Sequence, residues 1–229
     1  MMHAHHRIRD LLTRSLGFTL GLGLAGWALA DEPPPEPPIP PEPPVALEPA
    51  PPPSYSSIWL QNPWTGDTRL ARVPEPDQTL WNAARVEDYD LALAEGGAPA
   101  LGVLTISSLG MQVPIYNGTD EFNLDRGLGR IKGMARMDED GHLGISGHRD
   151  GFFRALKDLQ EGDRIMVRST TRVDVYEVDG FSIVDKHDTT ILFEEHDKEL
   201  TLVTCYPFYF VGNAPQRYIV HASPVTETN

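Results

Sequence analysis

The run Thr201-Leu202-Val203-Thr204-Cys205-Tyr206-Pro207-Phe208 decides how the rest of the chain is read. Its β-branched and apolar part reads as a buried strand that ends at a cysteine and passes into a loop. Cys205 is the only cysteine among 229 residues, so it has no partner for an internal disulfide. It is a reactive thiol, half of an intermolecular bridge, or a small hydrophobe in the core. The flanks have to decide between these.

Upstream as far as Pro99 the texture is the same, with short apolar runs broken by turn residues. Strands are expected at 101–107, 111–116, 142–148, 164–169, 173–184, 199–205 and 216–221. Leu109-Gly110, Asn117-Gly118 and Glu161-Gly162-Asp163 are turns between them. Residues 120–129 read as a short helical or irregular connection and 152–159 as a short helix. Many short strands with two or three short helices predict a mainly β fold, a barrel or a strongly twisted sandwich.

The first 98 residues have a different character. Arg7, Arg9 and Arg14 precede an uncharged run at 15–30 that ends in Ala28-Leu29-Ala30, the pattern of an export signal with a small-x-small cleavage site. That run is shorter than the roughly 20 apolar residues of a comfortable membrane span. Residues 1–30 are therefore a cleaved signal peptide or a signal anchor starting near Leu11. His3, His5 and His6 lie in this region with no further ligands nearby, and carry no metal site. Residues 31–53 hold 13 of the 21 prolines, a composition for an extended polyproline II spacer. A membrane-proximal stalk is the reading preferred over a ligand for a proline-binding module. Stalk and transitional segment together occupy 31–76, with Trp59 and Trp64 packing partly on the domain. Residues 77–98 predict an amphipathic helix at 78–94, capped by Asp77 and closed by Gly96-Gly97, that packs on the outside of the barrel. A domain at 99–224 and a tail at 225–229 follow.

Charge excludes one class of partner. Acidic residues number 33 against 19 basic, for a formal net charge of −14, and no basic patch interrupts the surplus. A nucleic-acid partner is not expected. The charge serves solubility or attracts cationic partners.

Alternation along the strands sorts the polar candidates. Leu143 and Ile145 share one face of their strand, while Ser146 and His148 share the other. Leu200 and Leu202 oppose Cys205, and Tyr218 and Val220 oppose Arg217. All three polar groups can thus occupy the non-core side of one sheet. The segment 206–216, with Pro207, Gly212, Asn213 and Pro215, looks like a long hairpin connection, which sets Arg217 beside Cys205. The chemistry suits that company. A free thiol with a pKa near 8.5 is mostly protonated at neutral pH, and a nearby cation favours the thiolate. Acyl transfer needs a nucleophile, a proton carrier and a fixed donor for the oxyanion. Histidine suits the second task and the guanidinium fork the third.

Thr201-Leu202-Val203-Thr204-Cys205 resembles the TLxTC signature of sortases, the cysteine transpeptidases of bacterial surfaces. Gly147-His148-Arg149-Asp150 with Phe152-Phe153-Arg154 is similar to the sortase histidine segment, and Arg217 is placed like the sortase arginine. The combination most resembles class D sortases, over roughly 101–222. The resemblance implies a closed eight-stranded sortase-type β-barrel. It also implies recognition of an LPxTG-like sorting signal, cleavage after its Thr, and transfer of the acyl group to an amine from peptidoglycan or a pilin. Cys205 is then the nucleophile, His148 the general acid/base and Arg217 the substrate and oxyanion ligand. Thr204 helps to position the substrate. No cofactor is implied; some sortases bind calcium through loop carboxylates, but no position here matches.

Other residues keep two readings. Tyr206, Phe208, Tyr209 and Phe210 either wall a groove for the apolar part of a peptide or anchor their loop. Arg149 and Arg154 either touch substrate or are paired surface arginines. His142, His187, His196 and His221 read as ordinary satisfied histidines, and Glu194, Glu195, Asp197 and Glu199 as a solvated acidic run. The competing functions are another cell-wall cysteine acyl-transferase or peptidase, or a non-catalytic envelope-binding module on a stalk. The sequence contains no Ser-His-Gly-Cys segment of the first kind.

Overall fold

The computed structural model describes residues 53–192, 198–210 and 212–225. The expected export segment, nearly all of the proline-rich stretch and the histidines at 3, 5, 6 and 196 lie outside them. Among the described residues no helix is long and apolar enough to cross a membrane.

Ten strands and two α-helices follow in order: β1 (Tyr55–Gln61), β2 (Thr68–Pro74), α1 (Ala83–Glu95), β3 (Gly102–Ile106), β4 (Met111–Tyr116), α2 (Glu121–Arg126), β5 (Leu128–Arg130), β6 (His142–Ser146), β7 (Arg164–Arg168), β8 (Val173–Asp185), β9 (Glu199–Tyr206) and β10 (Gln216–Pro224). Eight of them close a barrel in the order β10-β8-β7-β3-β4-β5-β6-β9. Closure removes the unpaired edges that an open sheet would present. The pairings are antiparallel except β4 with β5 and β6 with β9. The expected mainly β, eight-stranded closed barrel is what the chain forms.

Period-two alternation fills the interior. Leu104, Ile106, Ile115, Leu128, Ile145, Leu200, Leu202 and Val220 are all fully buried in one cluster. Phe153 and Leu156, from the 3-10 turn Phe152–Asp158, join the same cluster. Each such side chain contributes roughly 1.5–3 kcal/mol over an exposed one, so the barrel is held chiefly by its lining.

The region before the barrel departs from expectation. Residues 55–74, read as a transitional piece, form an antiparallel hairpin from β1 and β2. Its inner face places Leu60, Ala71 and Val73 against Ala100, Val103 and Tyr116, a second apolar cluster. Its outer face leaves Tyr55, Trp59 and Leu70 exposed. The helix also starts later than expected. Asp77 instead accepts the Thr79 amide in a local turn. The cap of α1 is Asn82, whose side chain accepts the Arg85 amide. Both residues are good caps; the one followed by an unbroken helical run took the role.

Candidate active site

Three strands and the turn after one of them bring the polar candidates together. β9 and β10 pair antiparallel with Cys205 directly opposite Arg217, so their side chains project from the same face. Leu202 and Val220, buried in the core, mark the other face. β6 runs parallel to β9, with Ser146 opposite Val203. The Gly147 amide extends that ladder by donating to the Val203 carbonyl at 3.2 Å. His148 follows two residues beyond Ser146, past the end of β6, with its side chain 16% exposed. Thiol and guanidinium therefore share one face of the barrel, and the segment leading into His148 is bonded to the cysteine strand at Val203.

The histidine segment is held there by close packing. A Cβ on Gly147 would lie 2.7 Å from Leu128 Cδ2 and 2.8 Å from Phe153 Cδ2, so only glycine admits the core so near the backbone. The chain then turns, and the Gly151 and Phe153 amides both donate to the His148 carbonyl.

Thr204 takes a part different from the expected one. It is 1% exposed, faces inward, and donates through Oγ1 to the Gly147 carbonyl at 2.8 Å. It ties the histidine segment to the cysteine strand.

Tyr206 and Phe208 make the contacts expected of loop anchors. Phe208 belongs to the core, and Tyr206 packs against it. Phe208 meets Tyr218 edge-on at 5.1 Å, and Tyr206 stacks on Tyr218 at 6.1 Å. Both anchor the loop after Cys205. Tyr209 and Phe210 are exposed and, together with Phe208, line a cleft beside Trp81, Arg149, Asp150 and Arg154.

The two arginines bind the loop itself. Arg149 Nη2 donates to the Gly212 carbonyl at 2.7 Å, and Arg154 Nη1 to the Phe208 carbonyl at 2.9 Å. Their guanidiniums lie over the rings of Phe210 and Tyr209. Arg217 donates through Nη1 to the Ala214 and Gln216 carbonyls, at 3.4 and 3.0 Å. These bonds hold one arm of its fork against the hairpin connection.

On its other side His148 meets groups the sequence reading passed over. Its Nε2 lies 3.4 Å from Glu121 Oε2 and 3.4 Å from Asp125 Oδ1, both on α2. Arg85 of α1 contacts Asp125 through Nη1 and reaches Asp150 at 3.5 Å through Nε. Burial lowers the His148 pKa, and Arg85 lowers it further; Glu121, Asp125 and Asp150 work in the other direction. Asp125 is pushed up by its own burial, against the pull of Arg85 and His148. The signal for this cluster was available: Glu121 and Asp125 are four apart, hence on one face of a helix. Nothing local linked them to a histidine more than twenty residues away.

Glu121, Asp125 and His148 have ligating atoms within 4.8 Å of one another, a spacing that a cation can bridge. Arg85 also supplies a positive charge at Asp125. The remaining described histidines on this face, His142 and His221, are bound to Thr201 at 2.7 Å and Ser182 at 2.8 Å respectively.

Comparison with known proteins places this geometry. A family model of the sortase domain matches residues 104–225. Sortase D of Bacillus subtilis (strain 168) is 43% identical over 128 residues, which make up 56% of this chain and 65% of that protein. The chain thus spans just under two thirds of that relative. A solved Clostridium perfringens Sortase D5 transpeptidase is similar at 26% identity and a TM-score of 0.50, covering 62% of this chain and 89% of that one. A lid mutant of Sortase A from Corynebacterium diphtheriae is similar at 27% identity and a TM-score of 0.51, covering 66% and 83%.

Proposed function

The chain belongs to the sortase family, and we propose that it is a cysteine transpeptidase acting on LPxTG-like sorting signals outside the cytoplasmic membrane. The pairing of Cys205 with Arg217, beside the strand that leads into His148, carries this reading.

The reaction divides among the three side chains. The Cys205 thiol gives its proton to His148, whose pKa burial and Arg85 lower so that the ring is neutral before the step. The thiolate Sγ so formed attacks the carbonyl of the signal's Thr. The C–S bond forms, and the oxyanion is met by the donors of the Arg217 fork. His148 returns the proton to the departing amide nitrogen, the C–N bond breaks, and a thioester remains on Cys205. An incoming amine gives its proton to His148 and attacks the thioester. The peptide bond is remade on the acceptor, and the thiol is regenerated.

Residues 99–224 form the catalytic part, and the proline-rich segment at 31–53 holds it off a membrane in which residues 1–30 are the anchor. If that segment is cleaved, the protein is secreted. The acceptor is an amine of peptidoglycan or of a pilin subunit.

The test is a trapped intermediate. Full-length protein incubated with an LPxTG-like peptide should gain the mass of the acyl fragment on Cys205 and lose it when an amine is added. A folded protein whose thiol resists alkylation near neutral pH and never acquires the acyl mass would overturn the assignment.

A further inference from the structure

The cluster on the far side of His148 joins three separate segments of chain. Arg85 enters from α1, N-terminal to the span that matches the sortase model. Glu121 and Asp125 come from α2, and Asp150 from the turn after β6. Burial separates the two carboxylates of α2. The Asp125 side chain is 18% exposed and that of Glu121 83%, so water screens the second far more than the first. Asp125 is also the one gripped by Arg85, itself 13% exposed.

His148 Nε2 is enclosed and makes no hydrogen bond in the resting structure, yet two carboxylate oxygens stand at 3.4 Å from it. A buried ring nitrogen without a partner is costly. The nearest acceptor that water does not compete for is Asp125. An N–H held at Nε2 leaves Nδ1 as the basic nitrogen of the neutral ring, because neutral imidazole carries one donor and one acceptor. Catalytic hydrogen bonds are often long before substrate arrives and tighten in the complex.

We propose that Asp125, held in place by Arg85 from α1, is a positioning residue that fixes the His148 ring with its proton on Nε2 and leaves Nδ1 to exchange protons with Cys205. The proposal rests on the reading of His148 as the acid/base. It adds that helix α1, outside the span that matches the family, helps to set the state of that acid/base. Asn82 at the start of α1 supports the arrangement, donating to Asp150 at 3.4 Å. The charged groups that bear on the ring are Arg85 of α1, Glu121 and Asp125 of α2, and Asp150, while Asp88 of α1 acts on Asp125.

The signs can be separated experimentally. Asp125 raises the His148 pKa and Arg85 lowers it, so removing each should move the titration in opposite directions. The measurement is an NMR titration of the His148 ring nitrogens in the full chain, without substrate. Asp125→Asn should move the midpoint down by about one unit and mix the tautomers. Arg85→Gln should move it up, and Asp125→Glu should restore most of the native behaviour. Glu121→Gln should have a smaller effect than Asp125→Asn. In peptide turnover, Asp125→Asn should lower kcat by about 10-fold with little change in KM, a part of the ~10²–10⁴ that general acid–base catalysis supplies.

An unchanged titration and tautomer in Asp125→Asn would overturn the proposal, as would Glu121→Gln producing the whole effect. A merely structural Asp125 would weaken thermal stability without moving the titration. If Asp125→Asn does not fold, Arg85→Gln decides alone, because an unshifted or lowered midpoint there contradicts the proposal. The titration needs no substrate, so failure to cleave a sorting peptide would count against the proposed function and leave this result standing.

Discussion

Two faces of one strand do different work in this barrel. On β9 the inward residues Leu200, Leu202 and Thr204 are 0%, 0% and 1% exposed, and they hold the fold together. The outward Val203 and Cys205 are half-buried and sit among Arg217 and the histidine segment. The backbone ladder is common to both, and only the side-chain period of two separates them. Stability and chemistry should therefore come apart at successive residues. Thr204 is the exception. It faces inward, but it links the core side to the site through Gly147.

Substitutions can break or sharpen that contrast. Cys205→Ala should bring turnover of a sorting peptide to background, a loss of about 10⁴-fold or more, equivalent to about 5.4 kcal/mol of barrier. Its thermal midpoint should stay close to that of the native protein. Loss of folding in that variant would mean the outward face is structural after all. Leu202→Ala, three positions away and facing inward, should cost about 2–5 kcal/mol of stability in denaturant unfolding. The thiol reactivity of its folded fraction should be native-like. Arg217→Gln should reduce kcat by about 10²–10³-fold, the usual cost of losing an oxyanion donor, with the fold retained by circular dichroism.

Thr204→Val tests the exception. It leaves the Gly147 carbonyl buried without its partner, worth about 1–3 kcal/mol. Unlike Leu202→Ala, it should also lower kcat by letting the histidine segment shift. The smallest effect expected is on pH dependence. Burial and Arg85 hold His148 below its usual value, so the neutral ring persists into mildly acidic solution. The acid limb of kcat/KM should accordingly fall below about pH 6.5, the value of an unperturbed histidine. A limb above that value would show that the carboxylates outweigh burial.

The sequence was legible where alternation is clean. β6, β9 and β10 each carry several inward apolar residues, which placed Cys205, Arg217 and His148 on a common outer side. β5 was not read, because three residues, Leu128 to Arg130, are too few to establish any period. The hairpin of β1 and β2 was hidden by its composition, since Trp59, Pro63 and Trp64 suggested irregular turns. Its inner residues are recognisable only once Ala100 and Val103 are there to meet them. The loop aromatics were open for a different reason. Phe208 and Tyr209 are adjacent and chemically alike, yet one enters the core and the other is 71% exposed. Their directions are set by a tertiary partner, Tyr218. Asp125 was missed because its importance lies in a contact with His148, and the reading had linked that residue only to the cysteine strand.

The parallel seam between β6 and β9 has a consequence for the order in which the protein becomes competent. Thr204 and Gly147 are 57 positions apart in the chain, and contacts that close such long loops form late. Cys205 and Arg217 stand on the neighbouring strands β9 and β10, and β10 also pairs with β8 to close the barrel. Until that seam forms, the thiol lacks the guanidinium opposite it and the histidine segment lacks its tie to β9. The closure that completes the barrel is thus also the step that assembles the site.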